Sequence, residues 1–260
     1  MNDLAVPVPT LEGTLRSHNI KVPVAAWSAT GIRVLGRHIR TIIFTTDIAI
    51  IRNCDADAVF AVYPFTPQQI ISSTLVKASS IPVFVGVGGG TTAGARSAVL
   101  AHDAEADGAY AVVLNAPASY TTLEMVSRAV DIPVVATIVG DDLEVVSDKI
   151  AAGAQIVNVA AGRRTPEVVG AIRAAFPDLP IIATGGNNDE GIRCTIEAGA
   201  NAIVCSPPST KELFSPMMED YRQEATVRSG SLRNMRPVSK ASRKEIEAAV
   251  ARIRESDMLD

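Results

Sequence analysis

Cysteine is scarce in this sequence, and its three positions lie far apart. They are Cys54, Cys194 and Cys205 in a chain of 260 residues. An odd number of cysteines at wide spacing argues against a disulfide framework and against zinc held by Cys-x-x-Cys pairs. We therefore expect a cytoplasmic protein, because a reducing compartment keeps such thiols free.

Long apolar runs and a strong excess of one charge are also lacking. No uninterrupted apolar stretch reaches the roughly 18 residues that a membrane span needs, and the first residues do not read as a signal peptide. The net charge is −4, from 24 basic and 28 acidic residues, which gives no general attraction to nucleic acid or to an anionic membrane. We expect neither of these as a partner.

What the sequence does contain is a repeat with a period of about 45 residues. Gly108, Gly153 and Gly199 each close a helical stretch and lead into an apolar run. Each period holds two apolar runs of about five residues separated by a helical pattern, which is typical of βα units in a parallel sheet. Four such double units predict eight strands, near residues 41–45, 58–63, 82–86, 109–114, 133–137, 155–159, 180–184 and 201–205.

The fold class predicted from this repeat is α/β, in the form of a closed (βα)8 TIM barrel. A chain of 260 residues with 47% hydrophobic residues matches the usual size of such a barrel, roughly 250 residues, and can bury its core. We predict an N-terminal helical extension over residues 1–40, the barrel over 41–221, and a linker with a C-terminal helical tail over 222–260.

The flanking segments are predicted from their own patterns. Basic residues mixed with serine and glycine indicate a linker over 222–244, and an apolar stripe over 242–258 indicates a surface helix. We favour packing of this stripe on the barrel over a dimer contact or an RNA-facing tail. One helix covering the barrel floor ahead of the first strand is indicated by Trp27, Val34, Leu35 and Ile39.

The active face of such a barrel is built from the loops that follow the carboxyl ends of the strands. Two of these loops predict a phosphate-binding site. Gly185, Gly186 and Asn187 follow the seventh strand, and Cys205 and Ser206 close the eighth strand ahead of a predicted helix start. Glycines let backbone amides approach a ligand, and a helix start attracts anions. The alternative is a tight turn that binds no ligand.

The residues around this site resemble a known superfamily. Phe-Pro-Asp-Leu-Pro-Ile-Ile-Ala-Thr-Gly-Gly at 176–186, followed by Glu-Ala-Gly-Ala at 197–200, resembles the phosphate-binding barrels of the ribulose-phosphate-binding superfamily. These include the keto-deoxy-phosphogluconate aldolases, thiamin phosphate synthase and the N-acetylmannosamine-6-phosphate epimerases. The aldolases are nearest in pattern, because their Gly-x-Gly-Thr stretch is similar to residues 86–92. The resemblance implies a small phosphorylated substrate, with ligand contacts at Gly88, Gly89 and Gly90.

One departure from these aldolases bears on the reaction. The aldolases form a Schiff base through a lysine on a barrel strand, whereas no lysine falls on a predicted strand here. The sixth strand, where that lysine is expected, carries Val157-Asn158 instead. None of the three histidines is placed to act as a general base. We therefore expect chemistry without a Schiff base, unless Lys211 folds inward from the eighth loop.

Carboxylates and a strand amide remain as candidate catalytic residues. Asp47 follows the first strand and Asp141 follows the fifth, so they could act as an acid and base or hold a divalent cation with substrate oxygens. The alternative for Asp47, and for Asp141 or its neighbour Asp142, is a helix N-cap. Asn158 lies within the sixth strand, where a buried amide either bonds a neighbouring strand or faces a ligand.

Three further residues at strand ends are candidates for ligand binding. Tyr63 closes the second strand and could supply an aromatic wall or a phenol. Asn115 ends the fourth strand, where its amide needs a partner. Arg163 follows the sixth strand beside Arg164, and the guanidinium fork of one of the two suits a phosphate or carboxylate.

The leading functional hypothesis is an enzyme that acts on a small phosphorylated metabolite, with lyase or isomerase chemistry next to a carbonyl. No cofactor follows with certainty, and Mg²⁺ is the candidate. One alternative is a non-catalytic barrel that binds a phosphorylated ligand, and another is an oxidoreductase that uses flavin mononucleotide. Barrels of this size commonly assemble, so we expect a homo-oligomer.

Overall fold

The computed structural model describes residues 20–184 and 188–232. Its first elements are a short 3-10 turn, Val24–Ser28, and an antiparallel hairpin of β1 (Ile32–Val34) and β2 (Arg37–Ile39). The prediction that one helix passes through Val34, Leu35 and Ile39 was therefore wrong. The 3-10 turn is the helical structure described ahead of the barrel.

Burial and turn geometry explain why this segment forms a hairpin. Ile32 and Val34 are buried while Arg33 between them is exposed, and this period of two is that of a strand. Leu35 and Gly36 have φ values of 45° and 80°, which suit the two-residue turn of a hairpin. The apolar side of the hairpin packs in the same cluster as Phe84 of the barrel interior. The predicted covering of the barrel floor is thus confirmed.

Eight parallel strands close into a barrel, as the repeat predicted, and their ends agree with the predicted ends to within two residues. Neighbouring strands along the chain are neighbours in the barrel, and the last strand pairs with the first. The strands are β3 (Thr41–Phe44), β4 (Ala58–Ala61), β5 (Val83–Gly88), β6 (Ala111–Leu114), β7 (Val134–Ile138), β8 (Ile156–Val159), β9 (Ile181–Thr184) and β10 (Ala202–Cys205).

A helix follows each of the first seven barrel strands. Several of these helices begin at a side chain that accepts hydrogen bonds from the first turn, such as Ser119, Asp142 and Asn188. The helices are α1 (Ile48–Arg52), α2 (Gln69–Ala78), α3 (Ala95–Ala106), α4 (Tyr120–Ala129), α5 (Leu143–Ala151), α6 (Thr165–Ala175) and α7 (Asp189–Glu197).

The core has two layers because successive strand residues face opposite sides of the sheet. Ile42, Phe60 and Ile182 belong to a cluster inside the barrel. Val157 and Val159 belong to a second cluster between the strands and the helices. Both faces of each strand are therefore buried, which accounts for the continuous apolar runs in the sequence.

A second compact unit begins at Pro208, and its described part is α8 (Thr210–Leu232). Glu212 accepts a hydrogen bond from the backbone N of Ser209 at 2.7 Å, and its own N donates to the Ser209 hydroxyl at 3.2 Å, which is a capping box. Residues 222–232 of the predicted linker belong to this helix. Gly230 does not prevent it, because one glycine destabilises a helix by only about 1 kcal/mol. Residues 233–260, including the predicted helix at 242–258, lie outside the described residues.

Candidate functional site

A cavity of about 200 Å³ opens at the carboxyl ends of β4, β5 and β6. This is the face on which (βα)8 barrels carry their active sites. None of the described residues that line it is charged. Those that line it with polar groups or glycine backbone are Tyr63, Gly86, Gly88, Gly90, Thr91, Thr92 and Asn115. Four residues predicted to bind a ligand thus lie in one cavity: Tyr63, Gly88, Gly90 and Asn115. We call it the mouth cavity.

The glycine loop after β5 lies directly against the end of β6. The backbone N of Asn115 donates to the carbonyl of Gly88 at 3.0 Å. Gly89 has φ +107°, and a Cβ added there would lie 2.5 Å from the same backbone N of Asn115. Only glycine allows this approach, which holds Asn115 beside the loop.

Hydroxyl groups complete the rim of the mouth cavity. The phenol oxygen of Tyr63 accepts a hydrogen bond from the backbone N of Gln68 at 2.8 Å, and this bond does not use the phenol's own O–H. The hydroxyl oxygens of Thr66 and Thr91 are 3.5 Å apart and join the two neighbouring loops. Tyr63 can therefore donate a hydrogen bond to a ligand.

Two residues near the glycine loop were missed by the sequence analysis. Thr92 is 2% exposed and Ser97 is fully buried, and neither hydroxyl has a hydrogen-bond partner among the described residues. Ser97 lies close to the loop, because a Cβ added at Gly88 would fall 2.2 Å from its Oγ. The signal available in the sequence was the Thr91-Thr92 step directly after three glycines.

The carboxylates predicted to be catalytic have structural partners instead. Asp47 is the N-cap of α1 and accepts from the backbone N of Ala49 at 2.8 Å, so the capping alternative holds for it. Asp142 caps α5 in the same way. Asp141 forms an ion pair with Arg164 at 2.7 Å. None of these carboxylates lines the mouth cavity.

The ion pair favours the ionised form of Asp141. A hydrogen bond from its own backbone N and the guanidinium of Arg164 hold the pKa of Asp141 below its usual value. Arg164 also contacts Glu167 and lowers the pKa of that carboxyl. A carboxylate held in the ionised form is poorly suited to act as a general acid. Arg163, predicted to bind a ligand, is exposed in the 3-10 turn Gly162–Arg164.

Asn158 lies inside the barrel and does not line the mouth cavity. It alternates with Val157 and Val159, which face the helices, and it is 4% exposed. Its amide oxygen accepts a hydrogen bond from the hydroxyl of Thr184, with 3.4 Å between the two oxygens. Of the two alternatives for this residue, the structure shows the bond to a neighbouring strand.

The predicted phosphate site is only partly visible. Gly185, Gly186 and Asn187 lie outside the described residues. Ser206 is exposed after the end of β10. Cys205 packs in the cluster between strands and helices, and burial raises the pKa of its thiol to about 11. Its side chain therefore faces away from the barrel interior, and a contribution of Cys205 to phosphate binding stays a prediction.

Lys149 on α5 is a further buried polar residue that the sequence analysis did not single out. It is 5% exposed, and burial lowers the pKa of its amine. Its Nζ donates to the carbonyls of Thr137, at 2.9 Å, and Ala116, at 3.1 Å. Since Ala116 follows Asn115, this amine ties one wall of the mouth cavity to β7. In the sequence, Lys149 lies three residues after Val146 and therefore on the same face of α5, which could have indicated its burial.

Within the described part of the chain, no three histidine, cysteine or acidic side chains gather as they would to hold a metal ion. None of the helices described is long and apolar enough to cross a membrane.

Comparison with known proteins shows the fold alone. No family model and no curated protein matches this sequence. The solved structures that match include a phosphonopyruvate hydrolase, with a TM-score of 0.54 and 12% identity over 91% of this chain and 97% of the other. A phosphoenolpyruvate phosphomutase from Streptomyces platensis subsp. rosaceus gives a TM-score of 0.55 and 15% identity, over 84% of this chain and 93% of the other.

A third similar structure is 2,3-dimethylmalate lyase, described as a member of the PEP mutase/isocitrate lyase superfamily. It has a TM-score of 0.52 and 14% identity, and the match covers 85% of this chain and 92% of the other. At this level of identity the matches establish the (βα)8 barrel. They do not single out the keto-deoxy-phosphogluconate aldolases that the sequence pattern favoured.

Proposed function

We propose that the protein is an enzyme that binds a small phosphorylated or carboxylated metabolite at the mouth of the barrel. It would act as a lyase or an isomerase at the carbon next to a carbonyl group, without a Schiff base. The observation that carries this proposal is the mouth cavity, where Tyr63 and Asn115 face a glycine-rich loop. The matched barrels above are named for reactions of phosphonopyruvate, phosphoenolpyruvate and 2,3-dimethylmalate, which supports the substrate class.

The proposed roles follow from the groups at the cavity. The side-chain amide of Asn115 would donate to the carbonyl oxygen of the ligand and stabilise the negative charge that develops there. The O–H of Tyr63 would exchange a proton with the adjacent carbon or leaving group. No lysine is among the described residues that line the cavity, which agrees with chemistry that forms no imine.

Asp47 and Asp141 have a smaller part in this proposal than the sequence suggested, since one caps a helix and the other is ion-paired. Mg²⁺ remains a candidate cofactor if it is held chiefly by the oxygens of the ligand. The alternative function is a non-catalytic barrel that binds the same ligand, and the structural use of both carboxylates favours it.

Deuterium exchange tests catalysis separately from binding. The protein is incubated in D2O with phosphorylated oxo acids and sugar phosphates, with and without Mg²⁺, and loss of the proton next to the carbonyl is followed by NMR. We expect exchange with the wild type and with Tyr110→Phe, a control at the barrel floor, and none with Tyr63→Phe. Binding without exchange would favour the non-catalytic barrel. No binding of any such compound would contradict the proposal, and a yellow protein would favour the flavin alternative.

A further inference from the structure

The loop between β5 and α3 presents several hydrogen-bond donors to the mouth cavity. The backbone N of Gly89 donates to the carbonyl of Thr92 at 2.9 Å, which folds the loop back on itself. Across residues 20–184 and 188–232, no acceptor is found for the backbone N–H groups of Gly90, Thr91 and Thr92. All three residues line the cavity. Consecutive N–H groups of this kind form concavities that bind anions.

The hydroxyl of Thr92 points to a ligand independently of the backbone, and the hydroxyl of Ser97 is a second unpartnered group near the loop. Each is buried and has no partner within the described residues, although Thr92 lines the cavity. A buried hydroxyl without a partner costs about 1–3 kcal/mol, so such groups normally have a role that offsets the cost. An anionic oxygen could accept a hydrogen bond from Thr92 at the same place where it meets the loop amides.

The helix α3 begins shortly after this loop, with Gly94 as its N-cap. This helix has 12 residues, and no side chain caps its first turn. A helix start carries a partial positive charge and attracts anions. No carboxylate among the described residues lines the cavity, so no fixed negative charge there opposes an anion.

We infer that the loop 88–92, including the hydroxyl of Thr92, binds the anionic oxygen group of the ligand together with the start of α3. This group is either a phosphate or a carboxylate. This inference rests on the proposed function and names the part of the ligand that enters the mouth cavity. It also gives the barrel an anion site beside β5, distinct from the predicted site after β9. Among the described residues that line the cavity the donors are neutral, with no lysine or arginine.

The test compares inorganic phosphate and acetate as probes of the full-length protein by calorimetric titration. We expect one of the two to bind the wild type. Thr92→Val, which keeps the shape but removes the hydroxyl, should weaken that binding roughly tenfold or more, as for the loss of a hydrogen bond to a charged group. Thr74→Val is the matched control, because this exposed hydroxyl lies on α2 and donates to the carbonyl of Ile70. Gly186→Asp probes the site predicted after β9.

The outcomes separate the inference from the proposed function. If Thr92→Val loses affinity and Gly186→Asp keeps it, the anion lies beside β5, and the preferred probe tells phosphate from carboxylate. If only Gly186→Asp loses affinity, the inference is overturned while the proposed function stands. If neither probe nor any phosphorylated compound binds, both fail.

A measurement on the wild type tests the inference even if the Thr92→Val variant fails to fold. In ¹⁵N-labelled protein, the amide signals of Gly90, Thr91 and Thr92 should shift on addition of the bound anion. Unchanged signals for these three amides at saturation would also overturn the inference.

Discussion

Replacing Gly89 by alanine tests the contact on which the mouth cavity depends. The added methyl group would lie 2.5 Å from the backbone N and 2.7 Å from the backbone O of Asn115, which is closer than real Cβ atoms approach. The obstacle is backbone within the barrel, so it cannot rotate aside as a side chain could. The φ of +107° is also unfavourable for any residue with a Cβ.

The loss of stability in Gly89→Ala has two sources, the strained backbone conformation and the clash with Asn115. A residue with a side chain in a sparsely populated backbone region costs about 1–3 kcal/mol, and the clash adds to this as the loop and β6 move apart. We expect a loss of about 3 kcal/mol in the free energy of unfolding. For a chain of this size that corresponds to a decrease in Tm of roughly 6–12 °C.

Gly90→Ala is the matched control, one residue away. A Cβ added at Gly90 meets nothing within 4 Å, and its φ is not in the positive region. Such a replacement restricts the unfolded chain and stabilises by about 0.4–1 kcal/mol. Thermal unfolding should therefore show a lower Tm for Gly89→Ala and an unchanged or slightly higher Tm for Gly90→Ala. Equal melting temperatures for the two variants would refute this account of the loop.

Three further predictions concern residues outside the cavity. The pKa of Lys149 is lowered from 10.5 by folding, so the unfolded chain binds more protons just below that pH and the free energy of unfolding rises with pH there. The raised pKa values of the Cys205 and Cys54 thiols act in the opposite sense, but they are common to the wild type and Lys149→Met. Urea titrations at several pH values should therefore show the free energy of unfolding of the wild type increasing relative to that of Lys149→Met as the pH rises toward 10.5. Asp142→Ala removes the N-cap of α5 and should cost about 1 kcal/mol, measured by urea unfolding, whereas Asp142→Asn should cost much less. In the native protein at pH 8, a thiol reagent should modify the exposed Cys194 well before Cys205, whose pKa is about 11; equal rates would contradict the buried position of Cys205.

Much of the barrel could be predicted from the sequence because its signals are local. Runs such as Val-Val-Ala-Thr-Ile mark strands buried on both faces, and β7 lies there. Gly153 was a second such signal, because it directly follows the last turn of α5 before the next strand. The hairpin differs from the predicted helix because the apolar residues alternate along two short strands, and Leu35-Gly36 forms the turn between them.

The candidate site was predictable only in part. The sequence indicated Tyr63, the glycine loop and Asn115 as strand-end residues, but it could not show that these three meet in one cavity while Asn158 does not. An aspartate at the end of a strand can cap the next helix or face a ligand, and the two positions of its carboxylate differ by only a few ångströms. The Asp-Asp-Leu-Glu pattern at 141–144 is compatible with both, so the sequence could not decide between them. The outcome for Asp141 depended on Arg164, 23 residues further along the chain.

The sequence by itself determined the parallel barrel, because hydrophobic period, proline and glycine spacing act over short distances. Only the tertiary structure decided which polar groups have partners. Thr92, Ser97 and Lys149 look like ordinary residues of a loop or a helix, and their burial is set by strands and helices distant in the chain. Hydrogen-bond satisfaction is a property of the packed fold. The sequence could therefore suggest ligand contacts at Gly88, Gly89 and Gly90, but it could not show that the nearby hydroxyls of Thr92 and Ser97 are buried without a partner among the described residues.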